Sequence, residues 1–265
     1  MPPVVSVIMT TYNWNKKWIR ESIESVLNQT FINFEFIIIN DWSTNNIEDT
    51  ISLYMGKDKR IIYLKNKKNI WITESLNEWI NISKWKYIAR IDDDDIRWSK
   101  NKLWKQVEFL EKNKDYAICW THIITINNEW KIINKIHLNT SDKAIRNNIL
   151  ITNQFIHSWV LLNKEYVQKL WWYNIKYKTS QDYELWCRLW KKYKFANLED
   201  EYTYYRINPH SISRKRWKKQ NYNALKTILK NCLYYPNAYK WILNTIVFFI
   251  PLSIKDLIKK IFIAK

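Results

Sequence analysis

Four short apolar runs, Val4–Met9, Phe34–Ile39, Ile61–Leu64 and Tyr87–Ile91, open the chain, and a stretch with helical spacing separates each from the next. The first such stretch carries Ile19, Ile23, Val26 and Leu27 through Asn28. The second carries Ile47, Ile51 and Tyr54 up to Gly56, and the third Ile72, Leu76, Trp79, Ile80 and Ser83. Leu103, Val107 and Leu110 mark a further helix after the fourth run. Apolar runs of this length fit buried strands, and the i, i+3, i+4 spacing fits amphipathic helices. Strands alternating with helices build βαβ units, hence an α/β fold on a mostly parallel sheet. In such sheets ligands bind beyond the carboxyl ends of the strands. Thr11, Asp41 and Asp92–Asp95 follow three of those ends, so three separate segments should meet in one crevice.

The fourth run ends in Asp92, Asp93, Asp94 and Asp95. Four adjacent carboxylates repel one another and call for a cation. Alternate residues of an extended segment point the same way, so Asp92 and Asp94 can converge. Such a pair suits Mg²⁺ or Mn²⁺, above all where substrate phosphates complete the shell. A solvated acidic turn before a helix at Ser99 accounts for the same residues.

After Tyr116 the pattern changes. Tyr116–Ile126 and Lys131–Ile136 resemble a hairpin around residues 127–130, and Phe155–Leu162 is another extended run. Gln181–Tyr193 has helical spacing, with Thr179 or Ser180 as its N-cap. Glu201–Ile207 is a further strand candidate. The expected organisation is one domain over residues 1–213, with a first half to about residue 115 and a second over 116–213, which the family resemblance described next makes the nucleotide-binding and acceptor halves. A basic, partly apolar helical tail over 214–265 follows.

Four motifs carry a family resemblance, in the family's order. They are Val5–Asn13 (Val-Ser-Val-Ile-Met-Thr-Thr-Tyr-Asn), Ile39–Thr44 (Ile-Asn-Asp-Trp-Ser-Thr), Tyr87–Asp95 and Ser180–Trp186 (Ser-Gln-Asp-Tyr-Glu-Leu-Trp). Over roughly residues 4–210 the chain resembles the inverting family 2 glycosyltransferases. The resemblance implies a GT-A fold: a Rossmann-like, mostly parallel sheet flanked by helices. It implies a nucleoside-diphosphate sugar as donor, a glycan or lipid-linked acceptor, and Mn²⁺ or Mg²⁺ as cofactor. Thr11 and Tyr12 would line the nucleotide pocket and Asp41 would contact the nucleoside. Asp92 and Asp94 would form the Asp-x-Asp element, with Asp94 the direct metal ligand. Asp182 would be the catalytic base. The family's usual Glu before that base is Gln181 here, and Thr10 stands where proline is common. Taken alone, Asp182 is equally an acid favoured by the dipole in a first helical turn, and Asp41 a turn former. His157, in an apolar run, fits a satisfied structural histidine.

One property of the composition conflicts with any α/β fold. The chain has one glycine, Gly56, and 17 tryptophans. Average usage predicts roughly 18 or 19 glycines at this length, close to the two counts together. Sequences of the resembled family carry glycine where this chain has Trp14, Trp42, Trp71, Trp79, Trp85, Trp171 and Trp172. Trp130, Trp159 and Trp190 are of the same kind, whereas Trp18 and Trp186 occupy apolar helical positions. Trp98, Trp104, Trp120, Trp217 and Trp241 carry no assignment. A bulky residue forced into left-handed backbone costs roughly 1–2 kcal/mol. Overpacking adds about 1–3 kcal/mol where the side chain meets packed neighbours. The expectation is a UGA codon that the cell reads as glycine. The plainer alternative is a chain rich in tryptophan for stacking on sugars or bases.

Net charge is +18. From Arg214 to Lys265 there are twelve Lys or Arg against one acid, Asp256, so this tail holds +11 of it. Such an excess favours anionic partners. A nucleic-acid or carbohydrate-binding protein that needs no metal is the competing class. It explains the charge and the aromatics but not the ordered aspartates, which count against nucleic acid. Cys119, Cys187 and Cys232 are odd in number and lack metal-ligand spacing, which fits a reduced cytoplasmic setting. No basic region followed by a long apolar one marks the N-terminus, so no signal peptide is expected. Trp241–Ile254 is apolar but short of the ~20 residues needed to span a bilayer. Beside the tail's charge, it suggests a peripheral position at the inner face of a membrane. Liposome flotation tests this: at low salt the chain should float with anionic vesicles and not with neutral ones. Failure to bind anionic vesicles removes the membrane role.

Overall fold

The computed structural model describes residues 4–93, 97–127, 129, 131–151, 153–206, 215–237 and 239–240. A single sheet of nine strands forms the centre. Strands β1 (Val5–Thr11), β2 (Phe34–Asn40), β3 (Ile61–Lys65) and β4 (Tyr87–Asp92) pair in parallel in the order β3-β2-β1-β4. Every residue of β1 is buried, as expected of a parallel strand covered on both faces. Helices α1 (Lys16–Leu27), α2 (Ile47–Met55), α3 (Trp71–Ile82) and α4 (Lys102–Lys112) supply the cover. Their apolar residues face the sheet: Ile19, Ile23 and Val26 on α1, and Leu76 and Ile80 on α3, are all buried.

The order of winding places the crevice. The chain steps outward from β1 to β2 and β3, then returns to lay β4 on the other side of β1. The carboxyl ends of β1 and β4 therefore diverge at a topological switch point, where ligands enter such sheets. Thr10 lies opposite Asp92 across that junction, and Thr11 lies opposite Asn40 on the other side.

Beyond β4 the sheet becomes mixed. Strand β5 (Arg97–Trp98) pairs with β9 (Lys194–Arg206), and β6 (Tyr116–Ile126) runs antiparallel to β7 (Ile132–Ile136) as the expected hairpin. Strand β8 (Leu161–Asn163) bridges β4 and β6. Short helices α5 (Asp142–Asn148) and α6 (Lys164–Gln168) precede α7 (Gln181–Leu189) and α8 (Trp217–Asn231).

Four expectations need correction. The run Phe155–Leu162 is not one strand: His157–Trp159 forms a 3₁₀ turn that buries all three side chains, and only β8 is extended. Aromatic burial overrides the strand pattern there, with Phe155 and His157 both packed edge-on to Trp186. Ser180 precedes α7 but caps nothing with its side chain: its backbone is left-handed at φ 57°, and its Oγ donates to the Gln220 carbonyl. Helix α4 begins at Lys102 rather than Ser99: β5 ends at Trp98, and residues 99–101 form a turn in which the Lys102 N–H donates to the Ser99 carbonyl at 3.0 Å. Strand β9 begins seven residues before Glu201, and its polar sequence hid that start. The expectations for Asp94, Asp95, Trp130, Arg214 and Trp241–Ile254 lie outside the described residues.

Trp186 is fully buried against Phe155 and His157. Trp186→Ala should lower stability by about 3–5 kcal/mol, read from the urea midpoint. An unchanged midpoint would mean that this aromatic cluster does not hold α7 in place.

Candidate active site

The crevice floor is made of three strand ends. At the end of β1, Thr11 is buried and its hydroxyl has no partner, while Tyr12 beside it is 48% exposed. At the end of β2, Asp41 is buried and donates its N–H to the Thr11 carbonyl at 2.9 Å. One oxygen of Asp41, Oδ1, accepts from Asn66 Nδ2 at 2.7 Å, the Ile70 N–H at 3.0 Å and Ser75 Oγ at 3.3 Å. These bonds tie the end of β2 to the loop after β3 and to the first turns of α3. Asp41 is thus more than a turn former, because it organises the approach to that helix.

At the end of β4, Asp92 pairs with Arg90, two residues back on the same face of the strand. The Arg90 side chain is fully buried; that of Asp92 is 36% exposed, and the two meet at 2.5 Å. Arg90 Nη1 donates to the carbonyls of Ile8 at 2.9 Å and Ile91 at 3.0 Å. A buried guanidinium therefore crosses from β4 to β1 directly beneath the switch point. Charge-assisted bonds of this kind are strong and geometrically fixed.

Asp182 enters from the other half of the sheet, in the first turn of α7. Burial raises its pKa from 3.8 to about 6. Backbone N–H groups of Tyr183 and of Asp182 itself pull the other way, the Asp92 charge adds to the rise, and Asn153 offsets it. Asn153 Nδ2 donates to Asp182 Oδ2 at 3.5 Å. Electrostatically, then, Asp92 and Asp182 belong to one site, although 90 residues separate them.

A clasp of hydrogen bonds fixes α7 relative to α3. Arg188 on α7 grips Glu184 through two bonds of 2.8 and 2.9 Å and donates to the Trp172 carbonyl at 2.6 Å. Tyr173 exchanges bonds with Asn77 of α3: its N–H donates to Oδ1 at 2.9 Å and its carbonyl accepts from Nδ2 at 2.7 Å. The Tyr173 hydroxyl lies 2.7 Å from His157 Nε2. Burial keeps both groups neutral, pushing the histidine pKa well down and the tyrosine pKa up. Sequence reasoning left His157 unassigned and did not reach Arg90, Asn153, Tyr173 or Arg188. Arg90 carried a signal in retrospect: an arginine inside an otherwise apolar run must find an acid within reach.

The donor set suits a hard divalent cation. Asp92 presents carboxylate oxygen at a strand end, and its charge already presses on Asp182. Among the described residues no three His, Cys, Asp or Glu side chains cluster into a cage. No helix among the described residues is long and apolar enough to cross a membrane.

A sequence model of glycosyl transferase family 2 matches residues 6–178, and the chain belongs to that family. It is 36% identical over 246 residues to an uncharacterised glycosyltransferase of Methanocaldococcus jannaschii, covering 90% of this chain and 84% of the relative. It is 31% identical over 237 residues to WfaP of Escherichia coli, a UDP-Glc:α-D-GlcNAc-diphosphoundecaprenol β-1,3-glucosyltransferase, covering 85% and 86%. Among solved structures, Staphylococcus aureus TarS 1–349 with UDP superposes with a TM-score of 0.71 at 16% identity, over 94% of this chain and 76% of that one. The mannosyltransferase PcManGT of Pyrobaculum calidifontis, with GDP-Man and Mn²⁺, gives 0.68 at 14% identity, over 92% and 69%. The fold is GT-A, as these neighbours share it.

The raised pKa of Asp182 has a stability consequence. Its folded pKa, about 6, exceeds the ordinary 3.8, so the folded state binds its proton more tightly than the unfolded state. Stability is therefore lost as pH rises through that window. Asp182→Asn removes the effect, and the variant should gain about 1–2 kcal/mol on the parent between pH 4 and 7, allowing for partial exposure. Urea midpoints across that range measure the gain. A difference that does not change with pH contradicts the assignment.

Proposed function

We propose that this chain transfers a sugar from a nucleoside-diphosphate sugar to an acceptor hydroxyl with inversion at the anomeric carbon. The observation that carries the proposal is Asp182: a carboxylate with a pKa of about 6, held on a clasped helix facing the acidic end of β4. At neutral pH it is ionised and still basic enough to accept a proton, as a general base requires. The buried, unpartnered Thr11 hydroxyl and the Asp41 network give the crevice wall polar groups that a nucleotide could complete. Thr11, Tyr12, Asp41 and Asp92 form the nucleotide side.

In the proposed step the acceptor oxygen attacks the anomeric carbon, and its proton passes to the Asp182 carboxylate. The bond from that carbon to the diphosphate breaks, and the electron pair leaves with the nucleoside diphosphate. Asp182 and the leaving group lie on opposite faces of the sugar, which gives inversion. The clasp from Arg188 through Trp172 and Tyr173 to Asn77 holds the base in register with the nucleotide side, the positioning that bimolecular transfer needs. Asp92 and Asp94 would hold Mn²⁺ or Mg²⁺, which when bound supplies Lewis-acid stabilisation of the diphosphate. Arg90 keeps Asp92 aimed at the crevice from beneath.

The setting proposed is assembly of a cell-surface polysaccharide or glycolipid on a lipid-linked acceptor. WfaP supports it through the diphosphoundecaprenol acceptor in its name, and the basic tail over 214–265 supports it through its charge. A cytoplasmic enzyme peripheral to the membrane's inner face would meet such an acceptor.

Asp182→Asn should bind donor normally and lose turnover by roughly 10²-fold or more, because an amide cannot take the acceptor's proton. Turnover within a few-fold of the parent would place the base elsewhere. In the parent, kcat/KM should fall about tenfold per pH unit below about 6, the pKa of Asp182. Chelation should abolish transfer and added Mn²⁺ or Mg²⁺ should restore it; full activity in excess chelator refutes the metal role.

A further inference from the structure

The backbone separates the tryptophans in a way their count alone does not. Eight described residues other than glycine have positive φ: Asn13, Trp42, Asn46, Trp71, Trp171, Trp172, Ser180 and Asn237. Three are asparagines, the ordinary occupants of left-handed backbone. Four are tryptophans, at φ 70°, 69°, 64° and 55°, and a bulky side chain there is a steric outlier. All four stand where the family resemblance calls for glycine. The lone glycine shows the converse. Gly56 has φ −65°, and a Cβ added there would meet nothing closer than 3.7 Å. The chain thus has glycine where any residue fits and tryptophan where only glycine fits without strain.

The indole nitrogens do not divide the tryptophans further. Trp14, Trp85, Trp120 and Trp159 each bury an N–H without a partner, a rare condition in folded proteins. Trp79 and Trp190 do find acceptors, Asn66 at 3.1 Å and Asp142 at 2.7 Å. Trp186 has ordinary helical backbone and a full aromatic environment, although its N–H is also unpartnered. The claim is therefore confined to the four positions that the backbone singles out.

We infer that residues 42, 71, 171 and 172 are glycines in the protein the cell makes, encoded by UGA, and that bare backbone at 42 and 71 forms the rim of the nucleotide crevice. Residue 42 follows Asp41 directly, and its indole is 45% exposed at the end of β2. Residue 71 follows Ile70, whose N–H donates to Asp41, and opens α3. Its indole is flanked by two cations, with the Arg216 guanidinium 4.4 Å and the Lys178 ammonium 5.0 Å from the ring centre. Both residues adjoin the Asp41 network along the chain, 42 next to Asp41 itself and 71 next to Ile70, beside the crevice a nucleoside would enter. With glycine at both positions the entrance is backbone, and Lys178 and Arg216 are released from the ring. Glycines at 171 and 172 instead serve the tight turn whose carbonyl Arg188 grips, so they act on the clasp and not on the crevice. The crevice half of the inference rests on the proposed donor site; the codon half does not.

Two experiments decide the two halves. Peptide mass spectrometry of the protein purified from its own source, with the coding DNA, should show glycine and UGA at 42, 71, 171 and 172, and tryptophan and UGG at 186. Tryptophan mass or UGG at the four positions overturns the codon half. For the crevice half, a recombinant double variant, Trp171→Gly with Trp172→Gly, is compared with a quadruple that adds Trp42→Gly and Trp71→Gly. Calorimetric titration with UDP and with GDP, each with Mn²⁺, should show the quadruple binding one nucleotide on the order of tenfold more tightly. The quadruple should also unfold at a higher urea concentration, because glycine relieves the left-handed backbone strain at 42 and 71. Equal affinity overturns the crevice half. If neither variant binds either nucleotide, the crevice half falls together with the donor reading, while the peptide masses still stand.

Discussion

The ion pair between Arg90 and Asp92 is the constraint on which the rest of the site depends. A guanidinium with no solvent exposure must be neutralised, because an isolated buried charge is prohibitively unfavourable. Asp92 provides the countercharge, and the carbonyls of Ile8 and Ile91 accept the remaining protons of one nitrogen. The pair therefore fixes the end of β4 against β1 at the point where the sheet reverses its winding. It also fixes where negative charge emerges into the crevice. In the proposed reaction the cation, the diphosphate and the base Asp182 are all placed relative to that carboxylate.

Asp182 is the clearest case. Its proton affinity is raised first by burial, lowered next by the backbone N–H groups of Tyr183 and Asp182, and raised again, to a smaller extent, by the charge on Asp92. The Asp92 contribution depends on Arg90, which pairs with that carboxylate at the end of β4. Two halves of the sheet with different topologies, one parallel and one mixed, thus meet in a single electrostatic unit. The proposed nucleotide contacts lie on the parallel half and the proposed base on the other.

Much of the parallel half was legible in the sequence because both of its signals are local. Buried strands appear as unbroken apolar runs, and the helices between them show their periodicity directly. The convergence of Thr11, Asp41 and Asp92 followed from topology alone. The mixed half was less legible. Phe155–Leu162 has the composition of a strand, but its aromatics are claimed by a cluster around Trp186. Strand β9 starts in a polar stretch whose pairing with β6 depends on partners distant in sequence. Asn153 reaches Asp182 and Arg188 reaches the Trp172 carbonyl across the fold, contacts that no window of sequence contains, whereas Arg90 pairs with Asp92 only two residues on. Ser180 misled because its residue type suits a cap while its backbone is left-handed. The excess of tryptophan was visible from composition, but only the backbone angles distinguish positions that exclude a side chain from positions that merely hold one.

The central claim is a single displacement in which Asp182 takes the acceptor's proton on the face opposite the leaving diphosphate. The anomeric configuration of the first-formed product, followed by proton NMR with an α-linked nucleotide-sugar, tests it most directly. The account predicts a β-linked product from the earliest time point. An α-linked product would mean retention, and a base placed at Asp182 for in-line attack would then be the wrong description of this site.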